Sequence, residues 1–245
     1  MDVSIYSAAS AMNATEQWQD LIAANLSMAG VPGAHARAMS FESMQAGQAT
    51  VAGQPLVMPN SRITTDFTGG EMRRTNNDMD FGLIGPGFFT VQMPDGSKGY
   101  TRDGEFAVDK QGQLVTKTGF PVISDSGALR ADPTNKAPLT ISKDGVVSQG
   151  SVEKGKLAIV EFSKPQTLTP EGGGIYSNPN EELMPPQPGS NTQLQQGSIE
   201  NSNVSPTLAM ATMITAMRMF ESNEKSMQMG SDRMSKAITE LSNPN

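Results

Sequence analysis

The strongest constraint on the fold of this chain is a regular series of residues close to its C-terminal end. Its ten positions follow one another in alternating steps of three and four residues, and only Glu224 and Ser231 among them are polar. Such a 3.5-residue repeat is typical of a helix that packs lengthwise against other helices. Ser205 and Pro206 supply an N-cap and a first-turn proline, so the helix is predicted to begin there. The full series is Met210, Met213, Met217, Phe220, Glu224, Met227, Ser231, Met234, Ile238 and Leu241.

The same helix is apolar on more than one side. Ile214, Ala216 and Ala237 widen its apolar face, and Met219 and Met229 lie outside even the widened face. A helix that is apolar on several sides needs several neighbours, which a single partner helix does not provide. Periodicity alone leaves two interpretations open: the series is the core of a domain that folds alone, or it also contacts other subunits.

The N-terminal segment repeats the pattern more weakly. Ile5, Met12 and Leu26 alternate at heptad spacing with Ala8, Thr15 and Ile22, and Gln19 interrupts the series. Gly30 and Pro32 then predict the end of the helix. Two helices at opposite ends of one chain, each with a lengthwise apolar stripe, are predicted to pack against each other.

Between the helices, short β-prone runs alternate with turn residues. The runs are FFTVQM, EFAV, LVTK, PVIS and LTIS, and the turns between them carry Asp-Gly, Gln-Gly, Thr-Gly and Ser-Gly pairs. Regularly spaced turns between short strands predict an all-β module. The predicted fold is therefore α and mainly β: paired, long, coiled-coil-like terminal helices, a central β module and extended connecting arms. The predicted boundaries are 1–33 and 202–245 for the helical domain, 34–79 and 163–201 for the arms, and 80–162 for the β domain.

Charge and composition exclude several classes of function. The net charge is -7, the first lysine is Lys98, and no basic stripe is present, so we expect no nucleic-acid partner. The chain contains no cysteine, which excludes disulfides and thiolate metal sites. No apolar run approaches the ~20 residues of a membrane span. A secretory signal begins with a basic segment, whereas no basic residue precedes Arg37 in this chain. If the protein leaves the cytoplasm, we expect another export route.

Two features resemble reactive sites only superficially. His35 is the single histidine and has no local carboxylate cluster, so it is interpreted as a loop histidine and not as a metal ligand or general base. The glycine-rich stretch from Gly82 to Phe89 lacks the Lys-Ser/Thr ending of a phosphate loop and does not lead into a helix. It is interpreted as a tight bend before a strand.

Carboxylates and amides form two further groups. Those between Asn76 and Asp80 lack the spacing of a calcium loop, so Asx turns are expected. Asp103 and Glu105 would be the acid and base of a hydrolase, but the sequence does not show whether they flank a cleft. We expect no catalytic residues, no cofactor and no metal; the alternative is a cell-wall glycan-binding or hydrolytic β module with a helical clasp.

Three motifs in the expected order resemble bacterial flagellar basal-body rod and hook proteins. The central motif matches at Phe67-Thr68, Gly70, Thr75, Gly85, Gly87, Phe88, Phe89, Pro94-Asp95-Gly96, Tyr100-Thr101-Arg102-Asp103-Gly104, Gly112 and Leu114-Val115-Thr116. The C-terminal motif matches at Gly197, Glu200, Ser202-Asn203-Val204, Met213-Ile214, Arg218 and Phe220-Glu221, and the N-terminal motif at Ala24-Asn25-Leu26. The chain departs from the family at Val31-Pro32-Gly33-Ala34, where Thr-x-Gly-Phe is usual. Its length and its start, MDVSIYSAASA, resemble members of the proximal rod, while the central motif is equally close to the distal rod.

The resemblance implies a structural subunit of the periplasmic rod in the flagellar basal body. Family members assemble through their terminal helices into a helical tube that transmits torque and encloses the export channel, and the type III apparatus exports them without a cleaved signal. The implied partners are other rod and hook-basal-body subunits, in a helical hetero-assembly, and the export apparatus. The predicted subunit-interface residues are Ile5, Met12, Ile22, Leu26, Met210, Met213, Met217, Met219, Phe220, Met227, Met229, Met234, Ile238 and Leu241.

Overall fold

The computed structural model describes residues 3–51, 54–125, 127–132 and 137–242, and the side chains of residues 8–40, 61–125, 127–132, 137–236 and 239. Within these residues, two long helices, α1 (Val3–Met28) and α2 (Pro206–Ser242), precede and follow nineteen strands in the chain order. The described helices include none long and apolar enough to cross a membrane. The predicted fold class is confirmed: the terminal helices pack together, and in the chain order they precede and follow a region of several β-sheets.

Residues group by contact into two compact units. The first combines α1 and α2 with β1 (Arg37–Val51) and β2 (Gln54–Thr65), and the second comprises residues 27–36 and 66–204. The domain boundaries expected from composition remain a prediction.

The first unit joins two helices to a long antiparallel hairpin. In the hairpin, Arg37 pairs with Thr65 and Met39 with Ile63. The Asn25 side chain of α1 accepts a hydrogen bond from the Arg37 backbone N–H at 2.9 Å and donates one to its carbonyl at 2.7 Å. This double contact fixes the first residue of the hairpin against the helix and accounts for the asparagine near the end of α1.

The second unit contains the remaining strands. Its largest sheet has six antiparallel strands in the order β15-β16-β6-β5-β14-β17, with β5 at Phe88–Gln92, β6 at Lys98–Thr101, β14 at Ile159–Glu161, β15 at Thr169–Gly172, β16 at Ile175–Ser177 and β17 at Gln187–Pro188. Smaller sheets are formed by β3 (Met72–Arg74), β4 (Phe81–Ile84), β7 (Phe106–Val108), β8 (Leu114–Thr116), β9 (Ile123–Ser124), β10 (Gly127–Ala128), β11 (Leu139–Ile141), β12 (Val146–Gln149), β13 (Val152–Lys156), β18 (Gln193–Gln196) and β19 (Ser198–Glu200). The five predicted β-runs are confirmed as β5, β7, β8, β9 and β11.

Two aromatic and aliphatic clusters form the core of this second unit. The larger cluster includes Phe81, Phe89, Val91 and Leu114, and the smaller one surrounds Phe88 and Tyr100. Since Phe88 and Phe89 alternate across β5, the strand contributes to both clusters. Residues 34–79 and 163–201, expected to be extended arms, contain strands of both units.

Candidate assembly surface of the terminal helices

The face of α2 that is buried within the chain combines large side chains with small ones. Ala216 is fully buried, Gly230 is buried, and Met213, Phe220 and Met227 are half-buried. These positions follow at steps of three and four, as expected for lengthwise helix packing. The small residues allow a neighbouring backbone to approach closely at every second position. Across the helix pair, the Asn223 side chain donates a hydrogen bond to the buried Thr15 hydroxyl at 3.3 Å.

The observed face differs from the predicted series at alternate positions. Ala216, Asn223 and Gly230 occupy the places assigned from sequence to Met217, Glu224 and Ser231. A heptad pattern alone favoured the larger residue, but close packing of two helices is better served by the small one. Met217 is consequently turned outward.

The outward-turned residues form a second, exposed face of α2. Met210, Ile214 and Met217 are 54%, 54% and 51% exposed, and their spacing of four and three residues aligns them along one side of α2. We call these three residues the outer stripe. Glu221 extends the stripe by one further turn and is exposed. Exposed apolar side chains in a continuous row mark an interaction surface more often than scattered ones do.

The other predicted interface residues have different surroundings. Leu208, which was not predicted, is exposed, as are Met219, Met229 and Met234, away from the outer stripe. On α1, Ile22 is buried and Met12 and Leu26 are half-buried. The side chains of Ile5, Ile238 and Leu241 lie outside the described residues.

A groove opens between α1 and the hairpin. It has a volume of about 360 Å³ and is lined by Gln17, Asp20, Leu21, Ala24, Arg37 and Ile63. Ile63 is 45% exposed although it lies on the groove. In the part of the chain that the structure describes, Arg37 makes no ion pair, and its Nε has no hydrogen-bond partner. The groove therefore offers an apolar floor between an acidic side chain, Asp20, and a basic one, Arg37.

A buried ion pair fixes the strands of the second unit. Arg102 Nε donates to Glu200 Oε2 at 2.7 Å, and the two side chains are 6% and 2% exposed. Arg102 Nη2 also donates to the Gly85 carbonyl at 2.7 Å, and Glu200 Oε1 accepts the Gly70 N–H at 2.7 Å. The Glu200 carbonyl accepts the Gly33 N–H at 2.8 Å. Three further chain segments, at Gly33, Gly70 and Gly85, thus converge on Arg102 and Glu200, and each buried charge has several hydrogen-bond partners, as such pairs require.

The Asn203 side chain also connects several chain segments through hydrogen bonds. Its side-chain oxygen accepts the Ala36 N–H at 2.6 Å, and its amide nitrogen donates to the carbonyls of Asp66 and Thr68 at 2.9 Å each. This one side chain joins the segments that follow α1, follow the hairpin and precede α2. Sequence reasoning did not assign these roles to Arg102, Glu200 and Asn203, although the family motif contains all three.

The residues considered for catalysis have structural roles. Asp103 is buried, accepts the Glu105 N–H at 2.9 Å, and has a pKa raised to about 6 because burial disfavours its charged form. Glu105 pairs with Lys117 at 3.0 Å. His35 is buried in aromatic contact with Phe67 and Tyr176, with ring centroids 4.9 and 6.1 Å away. Burial, and next the Arg102 charge, lower the pKa of His35 to about 4.

The other two candidate groups match their simpler interpretations. Asn77 forms an Asx turn, because its side-chain oxygen accepts the Met79 N–H at 3.2 Å, and its amide donates to Asp80 at 2.9 Å. The glycine-rich stretch connects β4 to β5 through Gly85, whose φ of 130° favours glycine. Neither arrangement leads into a helix.

Comparison with known proteins gives one consistent family. Residues 83–149 match the D1 domain of the flagellar hook protein FlgE/F/G, and residues 195–240 match the C-terminal part of the flagellar basal body rod FlgEFG protein. The flagellar basal-body rod protein FlgF of Caulobacter vibrioides is 32% identical over 98% of both chains. FlgF of Mesorhizobium japonicum is also 32% identical over 98% of both chains. The flagellar basal-body rod protein FlgG of Buchnera aphidicola subsp. Schizaphis graminum is 35% identical over 71% of this chain and 69% of its own.

Proposed function

Because the chain belongs to the flagellar basal-body rod proteins, as a rod subunit of FlgF or FlgG type, we propose that it is a proximal rod subunit that joins its neighbours through its terminal helices. Its role is structural and not enzymatic, in keeping with the buried Asp103 and the Lys117-paired Glu105. Alignment with FlgF relatives over 98% of both chains supports the proximal assignment.

The main support for this proposal is the outer stripe of α2. Three large apolar side chains, each about half exposed, lie on a side of α2 that the described residues leave uncovered. Burying them against a neighbour stabilises an assembly by roughly 25 cal/mol per Å² of apolar surface, and the contact repeats with every subunit. Methionine adapts to neighbours of slightly different shape, which suits a rod built from several proteins.

The assembly that follows is a helical tube. A patch on one subunit that contacts a different patch on the next generates an open helical array unless the rotation closes. In this proposal the packed helices form the wall of the export channel and transmit torque. The neighbours are other hook-basal-body subunits, and the chain reaches its periplasmic position through the flagellar type III apparatus without a cleaved signal.

A charge on the outer stripe tests the proposal. Met217→Glu is expected to leave the fold of the monomer intact, since the side chain is already exposed, but to prevent incorporation, because a buried unpaired charge costs several kcal/mol at each contact. The measurement is the amount of subunit in purified basal bodies from cells lacking their own copy, with circular dichroism of the free variant.

Asn180→Glu is the control, because Asn180 is exposed and belongs to the second unit, outside the terminal helices. Its incorporation is expected to equal that of the unaltered chain. Normal incorporation of Met217→Glu would remove the outer stripe from the proposed interface.

A further inference from the structure

The groove between α1 and the hairpin and the outer stripe of α2 are complementary in chemistry. The groove has Leu21, Ala24 and Ile63 as its apolar part. The stripe offers the apolar side chains of Met210, Ile214 and Met217. Both belong to the same compact unit, so every copy of the chain carries one groove and one stripe.

Their charges are also complementary. The α1 wall of the groove carries Asp20 and the hairpin wall carries Arg37. On α2, Arg218 flanks the stripe on one side and Glu221 continues it. Within the described residues, none of these four side chains takes part in an ion pair. Two copies can therefore form two opposite-charge contacts, Arg218 with Asp20 and Glu221 with Arg37, that one copy alone does not make.

The spacing of the groups agrees as well. Ile63 faces Met39 across the hairpin and Arg37 lies two residues before Met39, so the three side chains share one face. Diagonal neighbours of this kind are ~7–8 Å apart. Met217 and Glu221 are one turn apart on α2, a rise of ~6 Å at 1.5 Å per residue. A helix that lies along the groove therefore places Met217 against Ile63 and, at the same time, the Glu221 carboxylate beside Arg37.

From this match we propose that the groove between α1 and the hairpin receives the outer stripe of α2 from a second copy of this chain. The contact is heterologous, since groove and stripe are different surfaces, so a copy that fills one neighbour's groove keeps its own groove free for another. This inference rests on the proposed function and identifies the partner surface of the stripe.

Cysteine cross-linking tests the contact directly, because the chain has no cysteine of its own. Two versions are co-expressed in cells lacking the native copy, one with Ile63→Cys and one with Met217→Cys, and purified basal bodies are oxidised. A disulfide requires Cβ atoms about 3.5 to 4.5 Å apart, so only residues in direct contact react. The expected product is a dimer of this chain that forms when both versions are present and not when either is expressed alone.

Matched controls lie one or two residues away. Thr64 is exposed on the opposite face of the hairpin from Ile63, and Thr215 lies on another side of α2 from Met217. Thr64→Cys with Met217→Cys, and Ile63→Cys with Thr215→Cys, are each expected to give at least tenfold less dimer. Equal yields from the controls, no dimer at all, or cross-linking of Ile63→Cys only to a different basal-body protein would overturn the inference.

Exchanging the charges of Arg37 and Glu221 tests the same contact independently of cross-linking. Arg37→Glu and Glu221→Arg are each expected to lower incorporation about tenfold, and a chain with both changes is expected to recover most of it, since close charge pairs across an interface are strongly coupled. Absence of recovery overturns the pairing. If all variants enter basal bodies but give no cross-link, the rod function stands and only the groove contact fails; if the unaltered chain does not enter basal bodies, the function itself fails.

Discussion

Arg102 and Glu200 form an ion pair with an Nε to Oε2 distance of 2.7 Å and almost no exposure to solvent. They are 98 residues apart in the chain: Arg102 directly follows β6, and Glu200 is the last residue of β19. Glu200 lies six residues before the first residue of α2, so the pair anchors the strand from which the chain continues toward that helix.

Removal of the Arg102 charge is expected to destabilise the protein strongly. Arg102→Met leaves Glu200 buried without its cation, which costs about 3 to 5 kcal/mol in the free energy of unfolding. Urea denaturation of the purified chain measures the change. Lys117→Met breaks the exposed contact with Glu105 and serves as the control, with no measurable shift of the midpoint expected. Similar effects of the two substitutions would mean that the buried pair contributes little.

Loss of the Asn203 side chain is expected to weaken the same region. Asn203→Ala leaves the Ala36 N–H and the carbonyls of Asp66 and Thr68 without their partner, and the expected loss is about 2 kcal/mol of unfolding free energy. The exposed Asn180→Ala is the control, with a change near zero. An unaltered urea midpoint for Asn203→Ala would show that water replaces these hydrogen bonds at no cost.

Gly70 has no room for a side chain. A Cβ at this position would collide with the backbone carbonyl oxygen of Asn201, which belongs to the segment between β19 and α2. Gly70→Ala is therefore expected to cost at least ~2 kcal/mol of stability. Gly30→Ala, where a Cβ meets nothing within 4 Å, is expected to be neutral or slightly stabilising. The stability of the two variants is compared by thermal unfolding. Equal melting temperatures would contradict the steric argument.

The pH dependence of stability is expected to contain two opposing contributions. The pKa of His35 falls from 6.5 in the unfolded chain to about 4 in the folded one. Its contribution to the unfolding free energy is therefore complete above pH 6.5 and is lost as the pH falls through 4. The pKa of Asp103 rises from 3.8 to about 6, so its contribution is complete below pH 3.8 and is lost as the pH rises through 6. Each amounts to roughly 3 kcal/mol, so the two nearly cancel between pH 4 and 6.

Single substitutions separate the two contributions. His35→Phe is expected to give a protein whose unfolding free energy decreases as the pH rises from 4 to 6, and Asp103→Asn one whose unfolding free energy increases over that interval. The measurement is urea unfolding at half-unit pH steps. Parallel profiles for the unaltered chain and both variants would mean that neither group has a perturbed pKa.

Hydrogen exchange is expected to distinguish the helices from the β domain. In the dilute free chain, amides of α2 should exchange faster than those of β5 and β6, because the outer stripe has no partner while Phe89 and Tyr100 are fully buried. In isolated basal bodies the α2 amides should become protected. Equal protection of α2 in both states would indicate that the helix pair is stable without neighbouring subunits.

Local patterns in the sequence determined the main elements of this fold. The apolar repeat, the Ser205 and Pro206 start signal and the Gly30 and Pro32 stop signal predicted both helices, and turn residues predicted the strands around β5 and β7. These signals act over a few residues, through hydrogen-bond capping, backbone sterics and the side-chain period of each element, so they are visible in the chain itself.

Tertiary structure decided which side of each element is covered. The heptad series assigned Met217 to the inner face, but the helix pair packs on the small Ala216 and turns Met217 outward. The hairpin from Arg37 to Thr65 was not predicted, because its sequence has no sustained alternation of apolar and polar residues. Its pairing joins residues as far apart in the chain as Arg37 and Thr65. The contacts of Arg102 with Glu200 likewise require segments that only the folded chain brings together. Close approach between distant segments is a property of packing, and periodicity within one segment does not encode it.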